Sequence, residues 1–351
     1  MTRLTSTVAK IAPVDARWIE QARARQLQLT KPPGSLGRLE EIANRLAAIQ
    51  GTLSPSADPA KVLLFAADHG VCAEGVNPYP QAVTAQMVMN FLRGGAAINA
   101  LARTVGADLE IIDVGVATEL PSIDGLIRKP VARGTRNFCE EPAMSEKDAL
   151  AALSVGMDAA ADAIQQGYRL LAIGEMGIGN TTAASAVTAA LTRLAPESVV
   201  GRGTGADEGC MQRKRSAIER ALDRHLREIH TPLDLLARLG GLEIAAMCGV
   251  CLEASSRRCA VLIDGFISTA AAAVAVRFNP LVRDYLIAAH RSTEPGHAPL
   301  LEQISQRPLL DLEMRLGEGT GAALAIPILR AAVEAFTSMA TFESAGVAEA
   351  L

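Results

Sequence analysis

Five short apolar runs, each separated from the next by longer stretches that mostly show helical periodicity, organise this chain. The runs are "KVLLFAAD" (61–68), "DLEIIDVGV" (108–116), "YRLLAIG" (168–174), "CAVLID" (259–264) and "DYLIAAH" (284–290). Helical patterns lie near 84–104, 146–166, 181–194, 208–228, 241–256 and 266–277. An apolar run that does not alternate suits a strand covered on both faces, and strands parted by helices imply βαβ units. The expected fold is α/β, a doubly wound and mostly parallel sheet. Ser145-Glu-Lys-Asp148 reads as a capping signal for the helix after it, with aspartate in the usual glutamate position.

The two ends read differently. Residues 14–50 hold two helical patterns split by the breaker "TKPPGSLG", and 321–340 reads as one helix interrupted by Pro327. Neither offers a strand, so they are expected to join as a small helical domain. That divides the chain into 1–58 (N-terminal helices), 59–320 (large α/β domain) and 321–351 (C-terminal helices).

In such sheets ligands bind beyond the carboxyl ends of the strands, and here those ends run into polar, glycine-rich turns. Strand 168–174 leads to "GEMGIGNTT" (174–182); others lead to "DHGVCAEGVNPYP", "DGF" and "HRSTEPGH". The turns "GRGTGADEG" (201–209) and "RLGEGTGAAL" (315–324) precede helical patterns. Such loops present free N–H groups at helix starts, which suits an anion. The first of them fits the phosphate-loop pattern G-x-x-x-x-G-K-[ST] except that Asn180 replaces the lysine. A kinase or ATPase needs that lysine and magnesium ligands, so a nucleotide-binding ATPase remains only as the rival reading. A silent nucleotide-binding protein is a second rival, against which stand two carboxylates, Glu175 and Glu318, set among the glycines. Taken singly, each carboxylate also suits a helix cap or a partner such as Arg315. His69, His290 and His297 suit turn structure as well as ligand contact, and Trp18 suits the N-terminal helix.

Composition narrows the class. A net charge of -4, a pI near 5.8 and 3% aromatics argue against a nucleic-acid partner. The basic cluster Arg213-Lys214-Arg215 remains as a local phosphate contact. The segment Phe266–Val276 falls short of the ~20 apolar residues a bilayer needs, and the N-terminus lacks the apolar core of a signal peptide. The expectation is a cytoplasmic protein without a membrane span. Its six cysteines include Cys248 and Cys251 in C-x-x-C spacing, but their alanine-rich surroundings read as a buried helix. The five histidines have no H-E-x-x-H spacing. No metal site is expected.

Several longer stretches carry more than the glycine motifs do. "LTKPPGSLGRLE", "DHGV", "VTAQMVMNFLRGGAAINALAR", "GEMGIGNTTAA", "GRGTG", "GGLEIAAMCG", "DGFISTAAA", "HRSTEPGH", "PLLDLEMRLGEGTGAALA" and "MATFESAGV" follow one another in the chain. In that order they resemble the nicotinate-nucleotide:5,6-dimethylbenzimidazole phosphoribosyltransferase family, over residues from about 14 to 348. The resemblance implies a homodimer with a Rossmann-like large domain, and it implies no metal or redox cofactor. It also implies transfer of the phosphoribosyl group of nicotinate mononucleotide to 5,6-dimethylbenzimidazole with inversion, giving nicotinate and α-ribazole 5′-phosphate for the nucleotide loop of cobalamin. It makes Glu318, in "RLGEGTG", the base and Glu175 an auxiliary group. Following the resemblance, Gly203, Gly205, Lys214 and Ser292 are candidates for the 5′-phosphate, with Gly177, Gly179 and Asn180 around the ribose phosphate. Gln86, Met176 and Leu316 are candidates for the flat acceptor. Tyr79 joins them from "VNPYP", which departs from the family's pattern at its acceptor-binding serine.

Overall fold

The computed structural model describes residues 2–348. Its sheet contains β1 (Ala60–Ala67), β2 (Asp108–Gly115), β3 (Leu126–Arg128), β4 (Leu170–Met176), β5 (Ala260–Ile263) and β6 (Leu286–Ala288). Their spatial order is β3-β2-β1-β4-β5-β6. Every pairing is parallel, so the sheet expected to be mostly parallel is wholly so. β1 is buried at every position, which is why its sequence shows no alternation. The order reverses between β1 and β4, and the connections leaving their carboxyl ends diverge to open a crevice there.

Helices α1 (Arg3–Lys10), α2 (Ala16–Gln28) and α3 (Arg38–Gln50) precede the sheet. Next come α4 (Val83–Leu92) and α5 (Ala97–Val105) between β1 and β2, and α6 (Glu146–Gln165) before β4. Between β4 and β5 run α7 (Asn180–Thr192), α8 (Pro196–Val199), α9 (Glu208–His225), α10 (Pro232–Leu239) and α11 (Leu242–Ser256). After β5 come α12 (Phe266–Phe278), α13 (His297–Gln303), α14 (Thr320–Ser338) and α15 (Phe342–Ala345).

The local chemistry accounts for most of these bounds. At the start of α6, Asp148 N–H donates to Ser145 Oγ (3.1 Å) and Ser145 N–H returns a bond to the Asp148 carboxylate (3.2 Å). α6 and α11 touch backbone to backbone: a Cβ on Gly156 would lie 1.7 Å from the Ala246 carbonyl oxygen, and one on Gly249 2.1 Å from that of Leu153. Cys248 and Cys251 are buried in α11, and burial pushes the Cys251 thiol up to about 12. At the chain ends, Leu29 bridges Thr341, and the Arg25 guanidinium donates to the carbonyls of Phe336 and Thr337.

Several sequence expectations need correction. The pattern 84–104 is two helices, broken at Gly94 and Gly95. The helix over 208–228 ends at His225 and finishes in a 3-10 turn. Run 284–290 begins in a 3-10 turn and supplies a strand of only three residues. β3 is an equally short edge strand without an apolar run to announce it, while α1 and α10 were unforeseen helices. α10 is announced by Thr231, whose hydroxyl accepts from Asp234 N–H (3.1 Å), and by Pro232 at its first position. α14 continues through Pro327, with Ile326 and Leu329 buried beside it. α14 is also the one helix of the described residues long and apolar enough to cross a membrane by length and composition. Much of it is buried within the protein, the ordinary state of a core helix.

Candidate active site

β4 carries Glu175 opposite Phe65 and Met176 opposite Ala66, at the carboxyl end next to β1. The chain then turns through Gly177 and Gly179 into α7. A Cβ on Gly177 would stand 2.3 Å from the Ala67 carbonyl oxygen, so this turn lies directly against the end of β1. Three of its N–H groups are occupied: Ile178 donates to Thr84 Oγ1 (3.0 Å), Asn180 to the Gly177 carbonyl (3.1 Å) and Thr182 to that of Gly179 (3.0 Å). The Asn180 side chain donates to Glu175 Oε2. With three donors spent internally and a carboxylate held against Asn180, the loop is a poor cradle for a triphosphate.

The "GEG" turn meets this strand from the side. Gly317, Glu318 and Gly319 all have positive φ (85°, 63° and 83°), a left-handed run that costs a non-glycine residue about 1–2 kcal/mol. The turn is held from outside: Gly319 N–H donates to Asp264 Oδ2 (3.2 Å) and Ala322 N–H to Asp264 Oδ1 (2.9 Å). Gly174 makes room for it, since a Cβ there would lie 2.5 Å from the Glu318 carbonyl oxygen. The result brings Glu175, Asp264 and Glu318 to one cavity of about 640 Å³, and all three are buried. Among the described residues, Glu318 Oε2 has no hydrogen-bond partner.

Electrostatics follow from that crowding. Burial, then the charges of Glu243, Asp264 and Glu318, push the Glu175 carboxyl up to about 8. Burial is also the chief cause that raises Glu318, with Asp264 adding to it and the Ile98 main-chain N–H opposing. Asp264 is raised by burial, against the pull of His290, whose Nε2 lies 3.7 Å from Oδ1.

A third turn closes the far wall. Gly203 N–H donates to Glu294 Oε1 (3.0 Å), and the Gly203 carbonyl accepts from Arg315. Arg315 thus serves this turn and not the neighbouring glutamate. Lys214 is buried behind it, with Nζ 3.3 Å from Thr181 Oγ1 and 3.4 Å from the Gly201 carbonyl oxygen. Burial lowers its ammonium group, opposed by Glu294. The other two residues of the basic cluster turn elsewhere: Arg213 donates to the Gly75 carbonyl (2.7 Å) and Arg215 to Glu208 (3.2 Å).

The cavity therefore gathers Glu175, Met176, Gly177, Asn180, Gly203, Ser292 and Glu318, with Tyr79 and Leu316 exposed at its mouth. Four candidates do not reach the wall. Gly179 packs on His69 and Cys72, Gly205 is exposed, and Lys214 lies behind Gly203. Gln86 is exposed on α4, whose cavity-facing residues are Val83 and Met87, spaced i, i+4. Asp264, Glu294 and Thr181 line the wall without having been singled out, and His290, which suited turn structure or ligand contact, lines it as well. Their turns "DGF" and "HRSTEPGH" were legible as polar strand ends, but nothing local distinguished the inward-facing members.

The chain is similar to known proteins over nearly its whole length. A family model described as Phosphoribosyltransferase matches residues 11–347. A nicotinate-nucleotide–dimethylbenzimidazole phosphoribosyltransferase of Geobacter sulfurreducens is 51% identical over 99% of both chains. The chain belongs to this phosphoribosyltransferase family. The enzyme of that name from Chloroflexus aurantiacus is 52% identical, again over 99% of both chains. A crystal structure of the phosphoribosyltransferase of the same name from Thermus thermophilus superposes with a TM-score of 0.91. It is 51% identical and covers 96% of this chain and all of its own. Membership accounts for Asn180: a phosphoribosyltransferase has no need of a phosphate-loop lysine, and nothing supports the ATPase reading.

Proposed function

We propose that the protein transfers the phosphoribosyl group of nicotinate mononucleotide to 5,6-dimethylbenzimidazole, with Glu318 as the base. One ring nitrogen of the acceptor attacks the anomeric carbon as its bond to the pyridinium nitrogen breaks, and nicotinate leaves with the electron pair. The ring it leaves as is neutral apart from its carboxylate, so the departure needs no general acid. Attack from the opposite face turns a β-linked donor into an α-linked product, α-ribazole 5′-phosphate. The proton on the acceptor's other nitrogen passes to Glu318.

The observation that carries this reading is the buried Glu318 oxygen without a partner, in a turn held at positive φ. A raised carboxylate facing a cavity is suited to accept a proton near neutral pH. In this reading Glu175 is auxiliary, the Gly203 turn with Lys214 behind it and Ser292 beside it receives the 5′-phosphate, and Met176, Leu316 and Tyr79 flank the acceptor. The protein works in the cytoplasm as a homodimer, supported by family membership and by the apolar mouth residues Tyr79 (52% exposed) and Leu316 (56% exposed). The helical ends form a small domain beside 59–320, over 2–58 and 321–348, with residues 1 and 349–351 outside the described residues; the Leu29–Thr341 bridge supports it.

Incubation with both substrates tests the assignment. Nicotinate and α-ribazole 5′-phosphate should appear in equal amounts, and only when both substrates are present. Nicotinate release without acceptor, or no release at all, contradicts it.

A further inference from the structure

We infer that Asp264 is the positioning residue for Glu318, fixing both where the base stands and how strongly it holds a proton; this rests on Glu318 being the base. α14 begins at a glycine N-cap, which has no side chain to accept its first N–H groups. Asp264, immediately beyond β5, supplies both missing acceptors, one oxygen to Gly319 N–H and the other to Ala322 N–H. Gly319 follows Glu318 directly, so the carboxylate that caps the helix also pins the left-handed turn holding the base. Asp264 is 2% exposed and lines the same cavity.

Charge gives the second half of the argument. The groups facing Glu318 are Glu175 from β4, Asp264 from the β5–α12 turn and His290 from the segment after β6; α5 contributes the Ile98 main-chain N–H. Arg315 and Lys214 are bonded to the Gly201–Gly203 turn instead. Glu318 therefore sits among carboxylates with no fixed cation of its own, and Asp264 disfavours its ionised form. His290 stands against Asp264, its ring wedged beside Gly265 and Gly321. The charge at this position bears on both glutamates of the cavity, because Asp264 raises Glu175 as well as Glu318.

The test compares pH profiles of kcat/KM for wild type, Glu318→Gln and Asp264→Asn. Wild type should lose activity on an acidic limb that Glu318→Gln lacks. Asp264→Asn removes the neighbouring charge, so its limb should move to lower pH by roughly one unit. Its plateau should fall about ten-fold or more, because a weaker and looser base accepts the proton less readily. KM for nicotinate mononucleotide should stay near the wild-type value. Asp264→Ser keeps an acceptor without charge; it should show the same shift and stands in if the Asn variant fails to fold. A limb that stays at the wild-type pH in both variants, with Glu318→Gln lacking it, overturns this inference and leaves the base assignment intact. A limb that persists in Glu318→Gln overturns both.

Discussion

The side-chain amide of Asn180 donates to Oε2 of Glu175, closing the turn between β4 and α7 on itself. The position that a phosphate-loop lysine would occupy thus orients a carboxylate. Asn180→Lys should therefore gain no ATPase activity and should lose phosphoribosyl transfer, because the amide bond is replaced by an ion pair that redirects Glu175. Phosphate release from ATP and nicotinate release from the mononucleotide check the two halves. ATP hydrolysis at an ordinary enzymatic rate would falsify the rejection of the phosphate-loop reading.

The same carboxyl makes a stability prediction. With Glu175 held near 8 in the folded protein and near 4.5 when unfolded, the folded state binds more protons throughout that window. Its contribution to stability is complete below the unfolded value and is lost as pH rises through the folded one. Glu175→Gln stays neutral at every pH. Relative to wild type it should gain stability between pH 5 and pH 9, as denaturant titrations at the two pH values (~5 and ~9) read it. A difference that does not change with pH contradicts the buried, proton-holding Glu175.

How much of this could be read from residues depended on whether the cause was local. β1 and β4 announced themselves because both faces of a buried parallel strand must be apolar, and the box at Ser145 and Asp148 is a four-residue signal. β3 did not, since three residues are too few to carry a period, and the run 284–290 announced β6 while overstating its length. Pro327 misled because tertiary packing around Ile326 and Leu329 outweighs one lost main-chain bond. In the site, Glu175 and Glu318 stood out among glycines, whereas Asp264 works through main-chain groups more than fifty residues away. Gln86 is a different case: its motif was recognised, but it stands exposed on α4 while Val83 and Met87 face the cavity.

Gly317 should tolerate no side chain. Its φ is +85°, and a Cβ would lie 2.2 Å from Glu175 Oε1. Gly317→Ala carries a conformational cost of about 1–3 kcal/mol and displaces one carboxylate directly and the other through the turn. A lowered melting temperature together with at least a ten-fold loss of kcat is expected, by thermal unfolding and steady-state kinetics. Unchanged kcat would mean that the turn's geometry is immaterial to the reaction.

Lys214 offers a test of the phosphate end. Its ammonium group lies behind Gly203, balancing the buried Glu294 that binds the same turn. Lys214→Met leaves that carboxylate facing the donor's phosphate without compensation. A charged hydrogen bond is worth about 1.5–3 kcal/mol, so KM for nicotinate mononucleotide should rise by roughly ten-fold or more, with a smaller change for the acceptor. Equal changes in both constants would place the phosphate elsewhere.

Turnover of Glu318→Gln, measured with both substrates saturating and across pH, bears most directly on the chemistry. The substitution keeps the size of the side chain and removes its ability to take a proton. General-base catalysis contributes about 10²–10⁴-fold, so kcat should fall on that order, with acceptor binding little changed and the acidic limb gone. Near-normal turnover in this variant, with the limb still present, would show that the proton leaves by another route and that Glu318 is not the base.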